Sequence, residues 1–241
     1  MHDPRIDQLA RQLVRYSTKV KRGDNVLIDV YDVPEEVAIA LIREVRQVRA
    51  RPFVNVHQSR IAREMGVGAT EAQYEIISKH ALQQMESMDA YIAIRGSHNI
   101  NELSDVPGKK MQMISSIMRP VLNHRVNKTR WCVLRWPNPS MAQSAGMSTE
   151  AFEDFYFRVC LLDYAALMPA MKSLSKLMDK TREVHITGPG TDLRFSIDGL
   201  RSIPCGGNHT IPDGECFTAP VKDSVEGTIH YNTPSVYQGI A

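Results

Sequence analysis

The stretch Val26-Leu27-Ile28-Asp29-Val30 decides the fold class of this 241-residue chain. It is a short and almost wholly apolar run, which is typical of a strand buried inside a sheet. Gly23 precedes it as turn punctuation, and Tyr31-Asp32-Val33-Pro34 follows it. The stretch therefore predicts a buried strand. The loop after it lacks the glycine-rich sequence that cradles the pyrophosphate of a dinucleotide.

Helical and strand patterns alternate outward from this run. Asp3 and Pro4 are typical of a helix start, because Asp accepts main-chain N–H groups there and Pro fits the first turn. Four strand–helix alternations predict a Rossmann-like, mostly parallel sheet with flanking helices, since parallel strands need crossovers. The predicted segments are helices near 4–16, 34–48, 70–87 and 108–122, and strands at 26–30, 52–56, 90–94 and 131–134.

The proline-rich stretch Trp136-Pro137-Asn138-Pro139-Ser140 is the predicted domain boundary, since it is rigid and breaks helices. It separates an α/β domain, residues 1–136, from residues 137–241, which read as the beginning of a mixed α+β domain. A long helix capped by Ser148 is expected to kink or divide at Pro169. Residues 184–197 alternate around a Gly-Pro-Gly turn and predict an antiparallel hairpin.

Composition and charge exclude several classes of protein. Apolar residues make up 43% of the chain and charged residues 23%, which is typical of a globular protein. A formal charge of +2 gives no basis for binding nucleic acid or an anionic membrane. The N-terminal residues lack the apolar core of a signal peptide, so a cytoplasmic location is expected. The four cysteines have no paired spacing, which favours reduced thiols.

The segment from Cys205 to Pro220 carries the main functional candidate, Glu215. Two glycines and a Pro-Asp-Gly triplet predict a tight turn, and the backbone after such a turn holds Glu215 in place at the start of a short strand. Period-2 alternation places Glu215 and Phe217 on one face of that strand. From these residues alone, Glu215 is either a solvated carboxylate beside a turn or a functional one.

Other polar residues are weaker candidates. Cys205, His209 and Cys216 match no common structural-zinc spacing, so a zinc cluster is not expected there. Ser97 and His98 lie in the loop after the third predicted strand, where α/β sheets bind ligands, but they lack an orienting third group and are interpreted as a surface loop. Asp192 is expected to accept N–H groups of the hairpin turn, and His185 to lie on an exposed strand face.

Three motifs in order resemble the metal-dependent aminopeptidases typified by aminopeptidase T and aminopeptidase S. The first is Pro139-Ser140-Met141-Ala142-Gln143-Ser144-Ala145-Gly146-Met147-Ser148, and the second is Gly188-Pro189-Gly190-Thr191-Asp192-Leu193. The third comprises Asn208, Pro212, Gly214-Glu215 and Phe217-Thr218-Ala219-Pro220, followed by Ser224–Gly227. The resemblance covers essentially the whole chain.

This resemblance implies an enzyme that removes N-terminal residues from peptides and acts as a homodimer. In that family the glutamate of the third motif is a metal ligand, so Glu215 would be the first ligand of a site for two divalent metal ions of the zinc or cobalt class. Two such ions would bridge a water molecule and polarise the scissile carbonyl. Neither nucleic acid nor a membrane is an expected partner.

The sequence departs from the family after Glu215. The other family ligands, a Glu, two His, a Tyr and an Asp, lie well downstream, whereas this sequence stops at Ala241 and contains only His230 among histidines after Glu215. We therefore expect these residues alone to bind the metals incompletely and to lack peptidase activity, as a fragment or a truncated homologue. The alternative is a non-catalytic interaction or oligomerisation module on the same fold.

Overall fold

The structure, a computed structural model, describes residues 3–232. By compactness, the first unit runs to Leu162 and includes Gly207–Asp213; the second comprises Asp163–Gly206 and continues from Gly214. The domain boundary predicted at residue 136 stays a prediction. No helix among the described residues is long and apolar enough to cross a membrane.

The first unit is built on a five-stranded parallel sheet, which confirms the predicted α/β fold class. The strands are β1 (Asn25–Tyr31), β2 (Arg51–His57), β3 (Ala90–Arg95), β4 (Arg130–Arg135) and β8 (Thr210–Ile211). Their order in the sheet is β2-β1-β3-β4-β8, and every neighbouring pair is parallel. The central strands β1 and β3 are buried, as their apolar runs predict, and the four predicted strands are all present.

Helices connect these strands. They are α1 (Pro4–Arg11), α2 (Glu35–Gln47), α3 (Ser59–Val67), α4 (Glu71–Glu86), α5 (Gly108–Lys128), α6 (Pro139–Ser144) and α7 (Thr149–Cys160). Asp3 accepts the Arg5 N–H at 2.9 Å, as the predicted cap requires, and the first helix continues through a π-helical segment, Gln12–Ser17. Helix α5 extends six residues beyond its predicted end and contains Pro120. Helices α3 and α6 are additional to the sequence prediction.

A polar cluster crosses the otherwise apolar sheet. Asp29 of β1 accepts the hydroxyl hydrogen of Tyr91 at 2.9 Å and the side-chain amide of Asn55 at 3.0 Å. Burial, followed by the charge of Asp29, raises the pKa of Tyr91. The one charged residue of the strand-forming run is thus held by partners on both neighbouring strands.

The second unit contains helix α8 and two small antiparallel sheets. Helix α8 (Tyr164–Met178) begins after Asp163, whose carboxylate accepts the Ala166 N–H at 3.0 Å. Strands β5 (Glu183–Gly188) and β6 (Thr191–Ser196) form the predicted hairpin, which β10 (Glu226–Thr228) extends. Strands β7 (Ile203–Cys205) and β9 (Glu215–Phe217) form the other sheet.

The break in the predicted long helix lies at a different residue from the one expected. Helix α7 ends at Cys160, Asp163 caps the next helix, and α8 continues through Pro169. An Asp side chain that satisfies free N–H groups starts a new helix. Pro169 lies further inside α8, so the expectation that it divides the segment is wrong.

Candidate metal centre

Glu215 is positioned by the antiparallel pairing of two short strands. Strands β7 and β9 pair so that Cys205 lies opposite Glu215. The Gly214 N–H donates to the carbonyl of Cys205 at 3.0 Å and closes the connection. Gly214 has φ +125°, a conformation that side-chain-bearing residues rarely adopt, so glycine is required there. The β7–β9 register, with the Gly214 contact at its end, therefore places a thiol opposite a carboxylate.

The segment between β7 and β9 contains a third potential ligand, Asp213. Cys205, Asp213 and Glu215 each offer one ligand atom, and the three atoms lie within 4.8 Å of one another. Asp213 precedes Glu215 by two residues, and its Oδ2 accepts the Gly207 N–H at 2.7 Å. Cys205 and Glu215 are thus set opposite each other by strand pairing, and Asp213 is oriented by the Gly207 N–H.

The donor set fits one divalent ion of the zinc class. A thiolate and two carboxylates are established zinc ligands, whereas the sulfur donor disfavours magnesium and calcium. Three protein ligands leave a coordination position for water or substrate, which is the arrangement of catalytic rather than structural zinc. Glu215 is exposed, so a ligand can reach it from solvent.

Cys205, His209 and Cys216, for which a zinc cluster was not expected, have different surroundings. The ring of His209 lies edge-on to Trp131 at 4.6 Å between ring centroids. The thiol of Cys216 donates to the carbonyl of Met171 at 3.3 Å. Cys205 is grouped instead with Asp213 and Glu215.

Sequence reasoning did not identify Asp213 as a potential ligand. It assigned Asp213 to the Pro-Asp-Gly turn and treated Cys205 only together with His209 and Cys216. The sequence did contain a signal. Asp213 lies only two residues before Glu215, just ahead of the same strand, and the glycines at 206 and 207 allow the chain to reverse direction.

The loop containing Ser97 and His98 lies at the carboxyl ends of the parallel strands, as predicted. His98 lines a cavity of about 260 Å³ together with residues of the β1 and β2 ends, among them Asp32 and Gln58. The Ser97 hydroxyl donates to the carbonyl of Asn99 at 2.8 Å. Ser97 thus stabilises its own loop, which agrees with its interpretation as a structural residue.

Asp192 and His185 form a side-chain pair in the β5–β6 hairpin. His185 Nε2 and Asp192 Oδ1 lie 2.6 Å apart. This contact replaces the expected capping of the turn by Asp192, because the two side chains project from neighbouring strands. Thr191 accepts the main-chain N–H of His230 at 2.8 Å, so His230 lies near the same turn.

Comparisons with known proteins give a family and a fold. The family described as thermophilic metalloprotease (M29) matches residues 2–241. AmpT from Thermus thermophilus has a similar structure, with a TM-score of 0.75 and 19% identity over 93% of this chain and 63% of AmpT. A 2,5-dihydroxypyridine dioxygenase from Pseudomonas putida has a TM-score of 0.54 and 11% sequence identity. The match covers 95% of this chain and 59% of the dioxygenase chain.

The chain thus spans less than two thirds of the length of both structures. At these identities the likeness establishes the fold alone. No curated protein matches the sequence.

Proposed function

The chain belongs to the thermophilic metalloprotease (M29) family, and from this premise we propose that its activity is that of a metal-dependent aminopeptidase, which releases N-terminal amino acids from peptides. The family match over residues 2–241 carries the proposal. The fold does not decide the reaction, because the similar structures include both AmpT and a dioxygenase. The thiolate and carboxylate group around Glu215 supports metal-dependent chemistry.

In the proposed site, Glu215, Asp213 and Cys205 hold a divalent ion. When bound, such an ion polarises a carbonyl oxygen and lowers the pKa of a bound water. The protein's contribution is to fix the ligand atoms before binding: the β7–β9 register positions Glu215 and Cys205, and the Gly207 N–H orients the Asp213 carboxylate.

The test of this site is zinc binding by the wild-type chain and two variants. Equilibrium dialysis followed by elemental analysis should give about one zinc ion per wild-type chain, in keeping with three protein ligands. Glu215→Gln should weaken binding about tenfold or more, because the neutral amide replaces an anionic ligand. Glu226→Gln is the matched control, since Glu226 is an exposed strand carboxylate outside the group.

Equal zinc affinity of Glu215→Gln and wild type would contradict the assignment of Glu215. The same samples test the expectation that these 241 residues lack turnover by themselves. Cleavage of a leucine anilide by wild type, lost in Glu215→Gln, would overturn it.

Assembly and location complete the proposal. We propose a homodimer and a peptide substrate on the basis of the family resemblance. The cytoplasmic location expected from the sequence stays a prediction. Fractionation of cells that express the tagged protein from its own gene would test it, and recovery outside the cytoplasm would contradict it.

A further inference from the structure

Strand β2 has an open edge. Among residues 3–232 its strand neighbour is β1, and β2 ends the sheet order. The Arg51 N–H donates to Asp24, and the His57 carbonyl accepts from Asp32, so alternate residues from Arg51 to His57 direct their main-chain groups towards β1. The intervening Pro52, Val54 and Val56 therefore direct theirs outward. Since Pro52 has no N–H, Val54 and Val56 offer the free donors.

The side chains along this edge are unusually apolar. Val56 is 73% exposed and Val54 is 37% exposed, and both lie on the same face of the sheet. Exposed edges are normally protected by charged residues, prolines or short strands. Pro52 protects only one end of this seven-residue strand. The open edge thus combines free hydrogen-bonding groups with exposed apolar surface.

Helix α2 packs on β2 and carries opposite charges at its two ends. Glu35 and Glu36 lie where the helix begins, beside the carboxyl end of β1, and Arg43 and Arg46 lie in its last turns. All four are exposed, and no ion-pair partner exists for them within residues 3–232. Between the charged ends lies Ile39, which is 37% exposed. Two copies of α2 that run antiparallel would therefore place the acidic start of each helix beside the basic end of the other.

We propose that a second copy of this chain covers the open edge, with the two β2 strands paired antiparallel about a two-fold axis at Asn55. Val54 then lies opposite Val56 of the partner subunit, and both residues exchange N–H and carbonyl hydrogen bonds without involving Pro52. The two α2 helices run antiparallel at a distance of ~10 Å, which brings the acidic start of each near the basic turns of the other. Two five-stranded sheets become one continuous sheet.

This inference names a surface for the homodimer proposed above and is independent of the peptidase activity. An unrelated strand could pair with the same backbone, but only a second copy brings both the matching valines and the reversed charges of α2. The second unit also exposes apolar side chains, for example Leu177 at 64%. Association through them would not depend on β2, so the experiment separates the two surfaces.

Sedimentation velocity of the 241-residue chain at up to about 100 µM tests the interface. Wild type should form a dimer of twice 27.2 kDa, and Val56→Lys and Val54→Pro should each weaken dimerisation at least tenfold. Both positions face the open edge, so neither change removes a hydrogen bond within the monomer. Leu177→Lys, an equally exposed change in the second unit, should dimerise as wild type does.

A monomeric wild type would overturn the proposal, as would a dimer that Leu177→Lys dissociates and Val56→Lys leaves intact. The arrangement of the helices has a separate test. Glu36→Arg and Arg43→Glu should each weaken the dimer about tenfold, and the double variant should restore it, because the charges are exchanged and net charge returns to that of wild type. Failure of restoration, with unchanged thermal unfolding, would exclude the antiparallel α2 contact. None of these readouts requires zinc or peptidase turnover.

Discussion

At the scale of single residues, one glycine joins the ends of the two central strands. The Gly96 N–H donates to the carbonyl of Tyr31 at 2.7 Å. A Cβ atom at position 96 would lie 2.3 Å from the carbonyl oxygen of Asp32, far inside van der Waals contact with backbone that cannot rotate away. Residue 96 is therefore glycine because the loop after β3 passes directly over the end of β1.

Replacing this glycine should destabilise the first unit. Gly96→Ala is expected to lower the free energy of unfolding by about 1–3 kcal/mol, because the backbone must shift to accommodate the methyl group. The control is Gly108→Ala, at the start of α5, where an added Cβ meets no atom within 4 Å. That change should leave stability equal or slightly higher, since alanine restricts the unfolded chain.

Urea unfolding followed by circular dichroism measures both variants. A Gly96→Ala protein as stable as Gly108→Ala would mean that the loop relaxes away from Asp32 without cost. The close contact between residue 96 and the Asp32 carbonyl would then not be the reason for glycine at this position.

At the scale of elements, the end of α8 is fixed by a carboxylate. Asp179, the residue after the helix, accepts the Ser202 N–H at 2.7 Å and the Ser202 hydroxyl at 2.8 Å. The main-chain bond first, and then the hydroxyl bond, lower the pKa of Asp179. The hydroxyls of Ser202 and Ser175 also lie 2.6 Å apart, so the same group of bonds joins α8 to the residue that precedes β7.

This carboxylate predicts an acid-side dependence of stability. A folded-state pKa below the unfolded value of about 3.9 means that the ionised form stabilises the fold above that pH. The contribution should be lost as pH falls through the folded-state pKa. Asp179→Asn should therefore be less stable than wild type at pH 7, and the difference should shrink below about pH 4.

Urea unfolding at a series of pH values compares Asp179→Asn with wild type and with Asp198→Asn. Asp198 is an exposed carboxylate 3.8 Å from Arg182, so its replacement should have little effect. A difference between Asp179→Asn and wild type that persists unchanged at pH 2 would show that charge is not the cause.

Elements with strong local signals were predictable, and those fixed by distant partners were not. The apolar runs around Ile28 and Ile92 identified buried strands, because a sheet covered by helices needs such residues on both faces. Helix α3 was missed since its start is set by Asp32 of the first strand loop, whose carboxylate accepts the Ser59 N–H at 3.1 Å. The break before α8 was misplaced because Asp163 caps the helix, whereas Pro169 was expected to break it.

The candidate site shows the same division. Glu215 was singled out by local turn chemistry together with a family resemblance, but its neighbours Cys205 and Asp213 are brought together by the pairing of β7 with β9. Strand register depends on how two short segments meet, and a stretch of three residues carries little periodicity. The ligand group therefore could not be read from spacing alone.

At the scale of the whole molecule, the thiols report on the integrity of the fold. Cys132 lies in β4 and Cys160 ends α7, and both are buried and reduced. Burial raises the pKa of each to about 12. Cys205 and Cys216, in the second unit, are half-exposed.

We predict that a disulfide reagent at pH 8 modifies Cys205 and Cys216 within the native protein and leaves Cys132 and Cys160 unmodified until the first unit opens. At pH 8 a thiol with a pKa of about 12 is only ~0.01% thiolate, the reactive form, so chemistry and burial both protect the two buried cysteines. Peptide mass mapping after timed quenching identifies the labelled residues, and guanidinium-unfolded protein, in which all four should react, provides the control.

Gly96→Ala should increase labelling of Cys132 while Gly108→Ala does not, because opening of the first unit exposes that thiol in proportion to lost stability. Equal and rapid labelling of all four cysteines in the native protein would mean that β4 is accessible to solvent and that the parallel sheet does not form a stable core.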